Sequence, residues 1–142
     1  MYRKILVALE NTRTDETLLP HVTELATRLG SRLLLVHVAD GWAARNFSQL
    51  KLAESDEMKA DRAYLDNPVA ELRLKGLLVS AHLALGDPAI EILKTAETEH
   101  CDLIAMTSHG HRLIGDTIYG STINEVRHRT SVPILVVKAQ RP

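Results

Sequence analysis

The chain is poor in aromatic residues, which make up only 4% of its 142 residues and include one tryptophan and one phenylalanine. Proteins that hold single-stranded nucleic acid stack the bases on aromatic side chains, so this shortage argues against such a platform. Positive charge is not in excess either, because 17 Lys and Arg residues are balanced by 18 Asp and Glu residues. Affinity for a phosphate backbone comes mainly from clustered positive charge, and we therefore expect no nucleic-acid partner.

Cysteine and long apolar runs are also scarce. Cys101 is the one thiol of the sequence, and a single thiol forms neither an intrachain disulfide nor a cysteine-rich zinc site. The first apolar run, residues 5–9, is too short for the core of a signal peptide. No run approaches the roughly 20 residues that a membrane span needs. These absences predict a soluble, cytoplasmic protein with no membrane partner.

The rest of the composition is that of an ordinary globular domain, with 45% hydrophobic and 25% charged residues. The length fits one domain of common size, and neither an internal repeat nor a linker divides it. We therefore predict a single domain over residues 1–142.

Short apolar runs alternate with segments of helical periodicity along the chain. Between the runs, apolar residues recur at spacings of three and four, as in Leu18, Val22 and Leu25, and Gly30 stands where a helix C-cap belongs. This alternation predicts an α/β fold, an open, doubly wound parallel sheet with helices on both faces and right-handed crossovers. The runs typical of buried strands are residues 5–9, 32–38, 77–85, 102–106 and 132–137.

The helical segments contain three informative features. Pro20 lies either in the first turn of a late-starting helix or at a kink in an earlier one. Residues 49–75 form either one helix with a break near Pro68 or two helices, and the acidic residues of 54–61 are predicted to be a solvated face. Asp87 is a favourable N-cap, and Pro88 after it suits the first position of a helix.

The long segment after the fourth predicted strand, residues 107–119, carries the strongest functional signal. In open parallel sheets, ligands bind outside the carboxyl ends of the strands where the strand order reverses. Glycines at both ends of this segment, Gly110 and Gly120, allow close approach of an anion to backbone N–H groups. A helix predicted to begin at Gly120-Ser121 would add unpaired N–H groups and the positive end of its dipole. Further donors or charges come from Ser121, Thr122, His109, His111 and Arg112.

Two interpretations of this segment stay open on local chemistry alone. It is a phosphate cradle, or else Gly110 is a turn glycine, Gly120 a hinge and Ser121 a structural N-cap. It is not a P-loop, because no Gly-Lys-Ser/Thr follows, and no Gly-x-Gly-x-x-Gly follows the first strand. His109 and His111 alone are too few ligands to predict a metal site. His37, inside an apolar strand, is predicted to be a core histidine with one satisfied hydrogen bond.

The spacing of these glycines resembles the nucleotide-binding signature of the universal stress protein family, Gly-x-x-Gly-x9-Gly-Ser/Thr. Here Thr107-Ser108-His109-Gly110 is followed by nine residues and then by Gly120-Ser121. The likeness covers essentially the whole chain. Further segments that agree are Lys4-Ile5-Leu6-Val7-Ala8, Leu35-Val36-His37-Val38, Gly86-Asp87-Pro88 and residues 131–137.

The resemblance implies a Rossmann-like, five-stranded parallel sheet of order 3-2-1-4-5. It implies an adenine nucleotide, ATP or AMP, in the crevice between strands one and four, with Mg²⁺ able to accompany a triphosphate. It also implies a homodimer that pairs through the last strand, Val132 to Val137. An uncovered strand of this kind presents unpaired N–H and C=O groups at the edge of a sheet.

Residue by residue, the resemblance assigns phosphate contacts to Gly110, Gly120 and Ser121, and adenine contact to the backbone of Val38. Thr107 replaces the first signature glycine, so its Cβ would crowd a ribose or phosphate while its hydroxyl could donate to one. Glu10 replaces an aspartate and reaches one methylene further. The full candidate set is Ala8, Leu9, Glu10, Val38, Met106, Thr107, His109, Gly110, His111, Arg112, Gly120, Ser121 and Thr122.

Together with these residues, the resemblance implies a dimeric, adenine-nucleotide-binding module of the stress response. An efficient enzyme is not predicted, since no triad, carboxylate pair or activated cysteine follows from the spacing. Two alternatives remain. One is a nucleotide-free dimer that acts through protein contacts, which Thr107 and Glu10 favour. The other is a slow ATPase or autokinase in which Ser121 or Thr122 accepts a phosphoryl group.

Overall fold

The computed structural model describes residues 1–39, 56–109 and 116–139. Strands and helices alternate through these ranges, which confirms the α/β class. The strands are β1 (Lys4–Leu9), β2 (Arg32–Ala39), β3 (Val79–Leu85), β4 (Leu103–His109) and β5 (Ile134–Ala139). The helices are α1 (Asp15–Leu29), α2 (Asp56–Leu74), α3 (Pro88–Thr98) and α4 (Asp116–Arg129).

The five strands form one parallel sheet of order β3-β2-β1-β4-β5, as the family resemblance implies. The central strand β1 pairs with β2, where Lys4 is opposite Arg32, and with β4, where Ile5 is opposite Leu103. The chain runs outward from β1 to β3 and then crosses back to β4. The strand order therefore reverses between β1 and β4, and a crevice opens there at the carboxyl ends of the strands.

The side chains of β1 alternate between two apolar cores. Ile5 and Val7 belong to the core under α1 and α2, while Leu6 and Ala8 belong to the core under α3 and α4. All four are buried, as a central parallel strand covered on both faces requires. Removing this apolar surface from water is the main stabilising contribution to such a fold, at roughly 25 cal/mol per Å².

Most helix boundaries follow from local chemistry. Gly30 ends α1 in the left-handed conformation with φ of 71°, and its N–H donates to the carbonyl of Ala26, which confirms the predicted cap. Pro20 lies inside α1, so the helix starts before the proline. Pro68 lies inside α2, so residues 56–74 form one helix. The carboxylate of Asp87 accepts the N–H of Ile90 at 3.0 Å, as predicted for the N-cap of α3.

The region after β4 differs from the sequence prediction. β4 continues through His109, and Thr107 pairs with Val137 of β5, so these residues are in a strand and not in a loop. The helix predicted to begin at Gly120 begins instead at Asp116. An acidic residue suits a helix N-terminus, and an interior glycine costs only about 1 kcal/mol relative to alanine, so Gly120 does not prevent an earlier start.

The last strand is also displaced from its prediction, because β5 begins at Ile134 and not at Val132. Pro133 has no N–H to donate to a ladder, which places the strand after it. Within the described residues, no helix has both the length and the apolar character required to cross a bilayer.

Candidate functional site

A cleft lies where the strand order reverses, at the carboxyl ends of β1, β2 and β4. The first turns of α3 and the second turn of α4 close its sides. Its lining residues are Ala8, Leu9, Glu10, Val36, His37, Val38, Pro88, Ile92, Met106, Thr107, Thr122 and Ile123. Seven candidates from the sequence are therefore brought together here, namely Ala8, Leu9, Glu10, Val38, Met106, Thr107 and Thr122.

The remaining candidates lie at the end of β4, in the segment that follows it and in α4. Gly110, His111 and Arg112 lie outside the described residues. The backbone places His109 at the end of β4, and it places Gly120 and Ser121 in the second turn of α4. The N–H groups without an acceptor inside α4 are therefore those of its first turn, residues 116–119, and not those of Gly120 and Ser121.

The wall of the cleft under α3 and α4 is apolar. Ala8, Val36, Ile92 and Met106 are all buried, and each belongs to the core on that side of the sheet. Val38, partly buried, packs against the same core. Ligand sites of this kind combine an apolar lining with a few polar groups that fix orientation. This wall suits the flat face of an apolar ring.

Thr107 is an unusual polar group in the cleft. The residue is only 2% exposed, and its Oγ1 has no hydrogen-bond partner among the described residues. Buried polar groups are nearly always hydrogen-bonded, and leaving one unpaired costs about 1–3 kcal/mol. A ligand in the cleft is one source of the missing partner.

A buried polar cluster beneath the cleft was not predicted from the sequence. Its centre is Asp15, the first residue of α1, which is 5% exposed. The carboxylate accepts the backbone N–H of Glu10 at 2.9 Å and of Asn11 at 3.0 Å, and also the hydroxyl of Tyr64 on α2. Burial raises the pKa of Asp15 to about 6, although the two backbone N–H groups oppose the rise. The carboxyl therefore changes charge near neutral pH.

Asp61 and His37 extend this cluster to the second strand. Asp61 Oδ1 accepts from Asn11 Nδ2 at 3.1 Å and lies 3.6 Å from His37 Nε2. His37 Nδ1 is 2.9 Å from the carbonyl oxygen of Leu9, so Nδ1 must carry a proton, because a carbonyl only accepts. This bond confirms the predicted satisfied histidine. The ring of His37 also meets that of Tyr64 edge to face at 5.9 Å.

The turn after β1 fixes the side chain of Glu10. The hydroxyl of Thr14 donates to Glu10 Oε2 at 2.8 Å, and Thr12 Oγ1 lies 2.8 Å from Thr14 Oγ1. Asn11, between Glu10 and Thr12, has a positive φ of 60°, a conformation that asparagine adopts more readily than most residues. The carboxylate of Glu10 is thus anchored at the rim of the cleft.

Sequence reasoning missed Asp15 and Asp61 because charged residues are usually exposed. Residues 54–61 were predicted to be a solvated face of the helix. The prediction is wrong for Asp61, which is buried, with only 7% of its surface exposed. The sequence signal that could have revealed the cluster is Asp15, an aspartate at the start of the helix that follows the first strand. Among the described residues, no group of three His, Cys, Asp or Glu side chains is arranged to hold a metal ion.

Comparison with known proteins agrees with this architecture. The sequence model described as the universal stress protein family matches residues 1–138. The chain belongs to the universal stress protein family. Universal stress protein MJ0577 of Methanocaldococcus jannaschii is 32% identical over 158 residues, covering 97% of this chain and 96% of the relative.

Solved structures of the universal stress protein family share the fold. The structure of MJ0577 has a TM-score of 0.78 at 30% identity and covers 100% of this chain and 99% of its own. A universal stress protein from Archaeoglobus fulgidus in complex with dAMP has a TM-score of 0.70 at 21% identity, covering 96% of this chain and 98% of that one. A universal stress protein in complex with cAMP has a TM-score of 0.70 at 14% identity, covering 98% of each chain.

Replacement of Thr107 by valine is expected to stabilise this universal stress protein without ligand. Thr107→Val keeps the shape of the side chain and removes the unpaired hydroxyl, so the free energy of unfolding should rise by about 1 kcal/mol. Urea denaturation measures the change. Thr130→Val is the matched control, because Thr130 Oγ1 accepts the N–H of Val132 and its loss should destabilise. Equal destabilisation of both variants would show that the Thr107 hydroxyl is already satisfied.

Proposed function

We propose that this universal stress protein binds an adenine nucleotide, AMP or ATP, in the cleft between β1, β2 and β4. The observation that supports the proposal most is the convergence of three features at one edge of the sheet. These are an apolar wall, the anchored carboxylate of Glu10 and the unpaired buried hydroxyl of Thr107. An adenosine offers a flat ring to the wall and hydroxyl or amino groups to the two polar side chains.

Relatives of the same fold support the choice of ligand class. One has been solved in complex with cAMP and another in complex with dAMP. Both ligands contain an adenine, a sugar and one phosphate. The proposal for this chain depends on its own cleft, where Val38 provides backbone groups beside the adenine and Glu10 accepts from the base or ribose.

The phosphate end of the ligand is proposed to lie toward α4. The first turn of this helix, residues 116–119, has N–H groups without an acceptor inside the helix and the positive end of the helix dipole, both of which favour an anion. Gly110, Gly120 and Ser121 are the proposed contacts on either side of it, with His109, His111 and Arg112 as further donors. Mg²⁺ with ATP would be held mostly by the phosphates themselves.

The role that fits this site is binding and signalling in the stress response. We propose no efficient turnover, because Glu10 and His37, the ionisable groups that line the cleft, are hydrogen-bonded within the protein and supply no evident base for an attacking water. The single cysteine offers no intrachain disulfide, so we place this role in the cytoplasm.

Nucleotide binding is tested on protein purified without added nucleotide. Chromatography of the denatured supernatant detects retained ligand, and calorimetric titration with AMP and ATP, with and without Mg²⁺, measures affinity. We expect retention or binding in the micromolar range. Gly120→Val should weaken it about tenfold or more, because a branched side chain keeps a phosphate from the backbone. Asn124→Val, at an exposed position of the same helix, should bind normally.

The opposite result of that titration would favour the nucleotide-free alternative. No retained nucleotide and no heat from either AMP or ATP would mean that Thr107 and Glu10 close the cleft. Function would then depend on protein contacts.

We further propose a homodimer that pairs through the last strand, residues 132–137. β5 lies at the edge of the sheet and pairs only with β4 among the described strands. Val136 is 44% exposed there, beside partly buried Ile134 and Val137. An apolar edge strand of this kind is a template for pairing with another chain.

Val136→Lys should convert this dimer to a monomer, because a charged side chain on an edge strand opposes pairing. Light scattering of the purified protein gives the mass. Leu78→Lys is the control, since Leu78 is 62% exposed beside β3 at the opposite edge and should leave a dimer intact. A monomeric wild-type protein, or a Val136→Lys variant that stays dimeric, would contradict the assignment of this edge.

A further inference from the structure

The turn that follows β1 forms part of the cleft and is held by a buried carboxylate. Two consecutive backbone N–H groups, those of Glu10 and Asn11, donate to the two oxygens of Asp15 at 2.9 and 3.0 Å. Glu10 lines the cleft. The position of a cleft residue therefore depends on a side chain that does not line the cleft itself.

We infer that Asp15 is a positioning residue for the ligand cleft: its ionised carboxylate holds the Glu10–Asn11 turn in the binding conformation, and its protonation releases the turn and weakens ligand binding. The inference deepens the proposed function and rests on it, since the ligand is taken to be an adenosine moiety.

The hydrogen-bond pattern explains why protonation matters. Oδ1 accepts from Glu10 N–H, while Oδ2 accepts from Asn11 N–H and from the Tyr64 hydroxyl. An ionised carboxylate accepts all three bonds, but a protonated one carries a hydrogen on one oxygen. A hydrogen on Oδ1 would oppose Glu10 N–H directly. A hydrogen on Oδ2 can point to the oxygen of Tyr64, which then accepts, but the bonds from Glu10 and Asn11 lose the negative charge of the carboxylate. Protonation therefore weakens at least one charge-assisted bond to the turn.

The turn depends on these bonds because its conformation is not favourable by itself. Asn11 has a left-handed φ of 60°, which costs free energy for any residue with a side chain. Its side chain donates to Asp61 Oδ1 at 3.1 Å, and Thr14 donates to Glu10 Oε2 at 2.8 Å. Loss of the Asp15 bonds would leave the backbone of the turn without its principal acceptor.

Charged and titratable groups from every neighbouring element surround Asp15. Glu10, at the end of β1, opposes its ionisation, while His37 of β2 favours ionisation. Asp61 and Tyr64 approach from α2, where Asp61 lies 3.6 Å from His37 Nε2 and Tyr64 donates to Asp15 directly. Burial exceeds all of these effects and raises the pKa of Asp15 to about 6.

The direction of the pH effect on folding is opposite to that on binding. The pKa of Asp15 in the folded protein, about 6, is above the ordinary value of 3.8 for an aspartate. Its contribution to stability is therefore fully present below the lower value and is lost as the pH rises through the higher one. Ligand binding, in contrast, should be strongest above the folded pKa, where the turn is held. A general loss of stability cannot imitate this pattern.

Adenosine is the probe for the test, because a nucleotide phosphate has its own pKa near 6 and would obscure the result. We expect the wild-type protein to bind adenosine about fivefold more weakly at about pH 5 than at about pH 7.5, which corresponds to a ligand that lowers the pKa of Asp15 by about one unit. Asp15→Asn should bind weakly at both pH values, because its amide presents hydrogens to one of the backbone donors.

Two further variants identify the titrating group. Tyr64→Phe removes one donor to the carboxylate and keeps both backbone bonds, so the pH dependence should remain with its midpoint moved to higher pH. His37→Gln should retain a pH dependence. A wild-type profile that is retained in Asp15→Asn, or that disappears in His37→Gln while Asp15 is intact, would overturn the inference.

A second measurement separates failure of this inference from failure of the proposed function. In the ligand-free protein, the backbone amide NMR shifts of Glu10 and Asn11 should titrate with a midpoint near pH 6 in the wild type and stay flat in Asp15→Asn. If adenosine does not bind at either pH, the proposed function fails while the amide titration still tests the role of Asp15. Flat amide shifts in the wild type would overturn the inference even if adenosine binds.

Discussion

Burial of β1 on both faces is the constraint from which the rest of the molecule follows. Its side chains enter two separate cores, and its backbone pairs with β2 on one side and β4 on the other. The strand can neither slip by one residue nor leave the centre without exposing one set of apolar side chains. The chain must therefore leave β1 at Glu10, directly into the crevice where the strand order reverses.

The crevice at the carboxyl end of β1 contains buried polar groups in surroundings that are otherwise apolar. Asp15, Asp61 and Thr107 are each at least 90% buried around the carboxyl ends of the central strands. The two aspartates are satisfied by the turn after β1 and by α2, so they tie helices to the floor of the cleft. Thr107 is not satisfied by any described residue, which is the arrangement expected where a ligand completes the bonding.

Local patterns predicted the parts of this structure that local chemistry determines. The alternation of strands and helices, the cap at Gly30 and the helix start at Asp87 all depend on residues close in sequence. The strand order came from the family resemblance, since alternation alone does not specify it. The predicted start of α4 at Gly120 was wrong because an acidic residue at 116 suits a helix N-terminus and the helix tolerates an interior glycine. The buried cluster joins residues as far as 50 positions apart, so only the tertiary fold brings Asn11 to Asp61.

The most direct test of nucleotide binding in the cleft is an NMR titration of the isotopically labelled protein with AMP. If the nucleotide occupies the cleft, the amides at the ends of β1, β2 and β4, near Glu10, Val38 and Thr107, will shift together as the ligand is added. Shifts confined to the groove beside β3 and α3, near His82 and Lys94, would contradict it and move the ligand site to the other edge of the sheet.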